Sequence, residues 1–189
     1  KGILMISFTN VIHINRSADE VYAYLSDLEH TPEWNWAITE TRKTTRGPIT
    51  VGTRYRQTRR VPQPATETLE IIALEPNRRI EIEGTLAQLS AQLSYQIVEK
   101  ETGTELTNTV NLEPRGALRL VAPVLSGRIE RAVGDNLDEL KKRLEMGTNP
   151  SESHRPDPDQ EVGDAASSGY RTLSRPSRIR SSPNSNSSE

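Results

Sequence analysis

The residues best equipped for chemistry lie in one stretch, Thr53 to Val61, where Tyr55, Gln57 and Arg59 alternate with Arg54, Arg56, Thr58 and Arg60. In an extended chain the two sets point to opposite faces. Facing inward, Tyr55 offers a hydroxyl, and Arg59 offers a guanidinium able to hold a carboxylate or ketone oxygen by charge-assisted bonds. Facing outward, the same residues join a basic surface stripe. Arginine stands in both sets, so a period of two leaves the choice open. A second polar signal is Asn108, which shares its parity with Leu106, Val110 and Leu112. Burying an amide without a partner costs about 1–3 kcal/mol, so Asn108 either bonds a neighbour or meets a ligand or water. The third signal is the pair Trp34 and Trp36 inside Pro32-Glu33-Trp34-Asn35-Trp36. Aromatic residues make up only 4% of the chain, so two indoles so close mark a place where contact area matters. They either staple one end of a sheet shut or line an entrance.

Catalytic constellations are not legible in the spacing. His13 lies between Ile12 and Ile14 and so faces away from them, His30 precedes Pro32 at a helix end, and His154 falls in a polar terminal stretch. The three never approach metal-ligand spacing among themselves or with carboxylates. With no cysteine, disulfides, zinc–thiolate centres and thiol nucleophiles are excluded. Gly47, Gly52 and Gly84 stand singly, so no glycine-rich phosphate loop is present. No catalytic residue, metal or cofactor is therefore expected. A net charge of −2 over 189 residues supplies no field for nucleic acid or an anionic membrane. No apolar run reaches the roughly 20 residues of a membrane span. Lys1 to Met5 is too short for a signal-peptide core, and a cytoplasmic location is the expectation.

The elements that must position these residues follow from periodicity. Ile6, Phe8, Asn10, Ile12 and Ile14 recur every second residue, the mark of a strand with one buried face. Ser17-Ala18-Asp19-Glu20 forms a capping box before the apolar stripe Val21, Tyr24, Leu25 and Leu28, so a helix starts at Ser17. Pro32 to Trp36 makes a short second helical turn or corner. Six further strands are predicted at 37–45, 53–61, 66–75, 79–84, 88–99 and 105–112, each ending in Gly, Pro or Asn. Their short connections force antiparallel pairing. In the sixth strand of the chain, Leu89, Ala91, Leu93, Tyr95 and Ile97 form one apolar face, which should meet the last element. That element carries Leu118, Val121, Leu125, Ile129, Val133, Leu137, Leu140 and Leu144 at spacings of three and four, one long amphipathic helix. Pro123 kinks or delays its start, so its regular part is predicted from near Val124, and Gly147 ends it. Beyond, Ser, Pro, Asn and charged residues dominate, and such chain cannot offset its ordering entropy by burial. The predicted organisation is a folded domain over 1–146 and a disordered polar tail over 147–189.

The run Ser17-Ala18-Asp19-Glu20-Val21-Tyr22-Ala23-Tyr24-Leu25-Ser26-Asp27-Leu28-Glu29-His30-Thr31-Pro32-Glu33-Trp34-Asn35 resembles the opening signature of the SRPBCC superfamily, in its polyketide cyclase/dehydrase-like branch. Gly52-Thr53-Arg54-Tyr55, Leu74-Glu75-Pro76-Asn77-Arg78-Arg79, Gly103-Thr104-Glu105-Leu106-Thr107 and Leu137 to Glu145 are similar to later parts of that family. The resemblance spans Ile6 to Glu145. It implies an α+β helix-grip fold: a seven-stranded curved antiparallel sheet around a long C-terminal helix, two short helices after strand one, and a cavity between sheet and helix. This is the fold of START and birch-pollen-allergen-like domains. It also implies that Tyr55 and Arg59 face inward. The expected function is binding or carriage of a small hydrophobic ligand, as in lipid transport, with Trp34, Trp36, Tyr55, Arg59, Leu93, Tyr95, Asn108, Val110, Leu125 and Ile129 as the ligand-binding set. The alternatives are a cyclase or dehydratase of a polyketide-like substrate, resting on Tyr55 and Arg59, and a protein-interaction module using the outer surface.

Overall fold

The structure, a computed structural model, describes residues 5–61, 63–86, 89–114 and 118–147, apart from the side chains of 86 and 118–125. The polar tail predicted from Gly147 onward thus lies outside the described residues beyond Gly147 itself. In chain order the elements are β1 (Ile6–Ile14), α1 (Ala18–Ser26), a tight helical turn (Leu28–His30), α2 (Thr31–Trp34), β2 (Ile38–Lys43), β3 (Arg54–Arg59), β4 (Ala65–Glu75), β5 (Arg79–Leu86), β6 (Leu89–Lys100), β7 (Gly103–Glu113) and α3 (Leu118–Met146). All seven strands join one curved antiparallel sheet in the order β1-β7-β6-β5-β4-β3-β2. This is the helix-grip architecture: β2 to β7 meander, and β1 closes onto the last strand.

Local chemistry explains the joints. Ser17 Oγ accepts from the Glu20 amide while the Glu20 carboxylate accepts from the Ser17 amide, so the capping box starts α1. The β4–β5 hairpin turns at Asn77, which adopts φ 59°, a left-handed conformation that asparagine tolerates. The β6–β7 hairpin turns at Gly103, with φ 125° and with the Ile14 carbonyl where a Cβ would stand, so glycine is required there on both counts. Pairing of Lys100 with Gly103 zips this hairpin to its turn, which is why β7 begins at Gly103 rather than at the predicted Glu105. The long helix also differs from expectation, for it starts at Leu118 and runs through Pro123. A proline there forfeits the one bond its missing N–H would have made to the Arg119 carbonyl, and the preceding turn survives. At its far end α3 is clasped to the β1–α1 connection. Arg16 donates from Nε to the Leu144 carbonyl at 2.9 Å and from Nη2 to that of Glu145 at 2.8 Å.

The apolar residues between sheet and α3 fall into two clusters. The larger packs α1, α2 and the C-terminal half of α3 (Leu137, Leu140, Leu144) against Ile14, Tyr55, Ile71, Ile80 and Leu106. The smaller gathers Ile6, Phe8, Ala91, Val110 and Leu112, with partly buried Leu89, Leu93, Ile129 and Val133 against it. Between them runs a polar row. Asn10 separates Phe8 from Ile12 on β1, and its register partner Asn108 separates Val110 from Leu106 on β7.

Candidate ligand cavity

Where the smaller cluster fails to fill the space beneath α3, a cavity of about 450 Å³ opens. This lies within the roughly 300–1,000 Å³ range of small-molecule sites. Its floor comes from the inner faces of the strands: Ile6, Gln57, Arg59, Leu69, Ile82, Leu89, Leu93, Tyr95, Val110 and Leu112. Leu25, Leu28 and Trp34 wall one end, and Ile129, Ala132, Val133 and Asn136 of α3 form the roof. These α3 residues recur at threes and fours, so one helix face supplies them all. A second depression, of about 460 Å³, is lined by Glu29, Pro32, Thr39, Glu40, Thr41 and Arg42. Its charged groups already pair locally, Arg42 with Glu40 at 2.9 Å. The two are alike in size, so the lining decides, and the apolar walls single out the cavity under α3.

The two tryptophans divide the roles left open by the sequence. Trp34 is buried and packs in the larger cluster while also walling the cavity; Trp36, also in the lining, is 50% exposed. On β3, Tyr55, Gln57 and Arg59 face inward and Arg54 and Arg56 outward, where Arg54 pairs with Glu70 at 2.7 Å. Tyr55 nevertheless stays off the cavity wall, since its ring is wholly enclosed in the larger cluster. Burial pushes its phenol up to about 12, and the nearby Asp27 carboxylate acts in the same direction. Burial also raises the Tyr95 phenol, at the cavity floor. Of the other expected residues, Leu93, Val110 and Ile129 line the cavity. Asn108 is buried beside its register partner Tyr95 and is not in the lining, and the side chain of Leu125 is outside the described residues.

Arg59 carries the strongest electrostatics in the lining. Its Nε donates to Glu67 Oε1 at 2.8 Å, and Gln57 Nε2 donates to Glu67 Oε2 at 2.9 Å. The Glu67 side chain is only 3% exposed and that of Arg59 13%. A charge so deeply enclosed needs both a counter-ion and hydrogen bonds, and this arrangement supplies both. The pair is neutral as a unit, and engagement through Nε leaves the two terminal nitrogens of Arg59 for another acceptor. Glu67, Gln57 and Asn136 were not among the expected site residues. Parity on β4 would have found Glu67, since it shares a face with Leu69 and Ile71. For Asn136 the signal was a polar residue seven after Ile129 in the apolar stripe of α3.

His30 takes no part in the cavity. It stacks on Tyr24 with ring centroids 4.5 Å apart, and its Nδ1 lies 3.0 Å from the Glu33 carboxylate. The bond to His30 depresses the Glu33 carboxyl most, and the Tyr24 hydroxyl, which donates to the same carboxylate at 3.0 Å, acts in the same direction. Among the described residues no group of His, Cys, Asp and Glu could hold a metal ion, and no helix is long and apolar enough to cross a membrane.

Comparison with known proteins follows the same outline. The family model described as polyketide cyclase / dehydrase and lipid transport matches residues 5–145. No curated protein matches the chain. Among solved structures, the Zhui aromatase/cyclase from a Streptomyces species superposes with a TM-score of 0.65 at 16% identity, over 75% of this chain and 94% of that one. A START superfamily protein from Mycobacterium smegmatis gives 0.63 at 16% identity, over 75% and 99%. The di-domain ARO/CYC StfQ from the steffimycin biosynthetic pathway gives 0.63 at 16% identity, over 76% of this chain and 51% of that one, so the match spans about half of that protein. At such identities these likenesses establish the fold.

Proposed function

We propose that this chain, which belongs to the polyketide cyclase / dehydrase and lipid transport family, binds and carries a small, largely apolar molecule between its sheet and α3. One observation carries the reading: an apolar cavity of about 450 Å³ in which the more enclosed of the two lining arginines, Arg59, is held in place by Glu67. Burial of aliphatic and aromatic ligand surface drives association, and Arg59 orients the ligand by donating from its terminal nitrogens to a carboxylate or carbonyl oxygen. Turnover would need a proton acceptor poised near neutrality and within reach of the substrate. The described lining offers amides, threonine, tyrosine and arginine, and the buried Glu67 already accepts bonds from both Arg59 and Gln57. Holding a molecule fits these groups better than transforming it.

Quenching of Trp34 and Trp36 emission by 2-naphthoic acid and by 2-methylnaphthalene tests the reading. Saturable one-to-one binding of both is expected. Arg59→Met combined with Glu67→Gln, which leaves no unpaired buried charge, should weaken the acid by about tenfold, the worth of one charge-assisted hydrogen bond, and leave the hydrocarbon unchanged. Absence of saturable binding of either probe to the folded protein would overturn the proposal.

A further inference from the structure

The floor of the cavity holds a hydroxyl that the fold leaves unused. Tyr95 points to the inner face of β6, a strand flanked by β5 and β7, and is 6% exposed. Its ring packs with the larger cluster, opposite Ile80 on β5, and the residue also lines the cavity. Among the described residues the Tyr95 hydroxyl bonds to no other group. Nor is it shut away: unlike the Tyr55 hydroxyl, which is fully enclosed, it keeps accessible surface. On the inner face of a central strand, that surface opens onto the cavity the residue lines. A buried phenol that gives up water without gaining a protein partner costs free energy. A molecule in the cavity can supply the partner. Burial raises the phenol, so the group stays a neutral O–H that both donates and accepts.

We propose that the Tyr95 hydroxyl is a second anchor for the bound molecule, hydrogen-bonded to a neutral oxygen, a hydroxyl or a carbonyl, at the end away from Arg59. This rests on the cavity reading above and narrows it. Arg59 enters the lining from β3 and Tyr95 from β6, and between those strands Leu69 of β4 and Ile82 of β5 form an apolar stretch of floor. A ligand that satisfies both therefore carries an acceptor oxygen at one end, an apolar middle and a second oxygen at the other. An analogue with a methyl group in place of that second oxygen leaves the phenol unmatched and is discriminated against, because a site built to hydrogen-bond a hydroxyl rejects the molecule that lacks it. The ring of Tyr95 then belongs to the core and its hydroxyl to the ligand, which makes it a specificity-determining residue.

The test compares 6-hydroxy-2-naphthoic acid with 6-methyl-2-naphthoic acid by titration calorimetry. Both offer Arg59 a carboxylate, and they differ only in the far group. The wild-type protein should prefer the hydroxy acid by about tenfold, the equivalent of one hydrogen bond. Tyr95→Phe should bring that ratio to about one by weakening the hydroxy acid, while the methyl acid binds as before. The melting temperature of this variant should not fall, since the hydroxyl removed has no partner in the protein. Equal binding of the two acids by the wild type, or a preference that survives Tyr95→Phe, would overturn the anchor and leave the cavity reading standing. A Tyr95→Phe protein that melts well below the wild type, or fails to fold, would assign the hydroxyl to the core and would also overturn the anchor. Failure of both acids to bind the wild type would remove the cavity reading and the anchor together.

Discussion

The two apolar clusters beneath α3 share a sheet and a helix, yet one is packed and the other is hollow. In the packed one, Ile14, Val21, Tyr55, Ile71, Ile80, Leu106 and Leu140 are fully enclosed, because α1 and α2 fold down over that part of the sheet. Toward the smaller cluster that layer reaches only one end, through Leu25, Leu28 and Trp34, and Leu89 and Ile129 remain only partly buried. The difference lies in what covers the sheet and not in how apolar it is. The same inward alternation that yields a core under α1 yields a binding surface where that helix stops.

Substitutions on the two sides should therefore behave differently. Leu140→Ala, in the packed cluster, should destabilise by about 2–5 kcal/mol, since the walls of the new void relax only in part. Urea denaturation measures it. Ile129→Ala, on the cavity roof, removes a side chain that already faces empty space, so the same assay should show about 1 kcal/mol of lost transfer free energy. An equal cost at the two positions would erase the distinction drawn here. The smallest effect at neutral pH belongs to Tyr55→Phe in the packed cluster, within about 0.5 kcal/mol. Its signature is at high pH. The folded phenol is raised to about 12 from the ordinary 10.0, so its contribution is complete below pH 10 and is lost as pH climbs toward 12, where the unfolded chain ionises first. The slope of stability against pH in that window should flatten in the Phe variant, whether or not a probe fills the cavity.

Much of the fold was legible in the sequence because it depends on periods that one dimension displays. Ile6 to Ile14 on β1, Leu89 to Ile97 on β6 and the three-four stripe of α3 each declared a buried face, and the capping box at Ser17 declared a helix start. Pro123 misled because a propensity rule describes an isolated helix, and a helix docked on a sheet can forgo one backbone bond. The site was harder to read. Parity placed Tyr55 and Arg59 on one face, but whether a given inward residue meets a ligand or a neighbour depends on where α1 ends in space. Hence Tyr55 is wholly enclosed while Arg59, four residues on, reaches the cavity. Glu67 went unnoticed because a carboxylate at an inward position looks like an error of alternation until its partners on the adjacent strand are known.

The closure of the sheet has a kinetic meaning. β1 is made first, and its partner β7 is the last strand to be made; Ser7 and Asn111, bonded through their side chains, stand 104 residues apart. Neither β1 nor the inner face of the meander can be completed until nearly the whole domain has been synthesised. Long-range pairing of this kind slows folding and leaves Ile6, Phe8, Ile12 and Ile14 exposed on an unpaired strand in the meantime. The interval between the synthesis of β1 and that of β7 is when this protein is most open to association with chaperones or with other copies of itself.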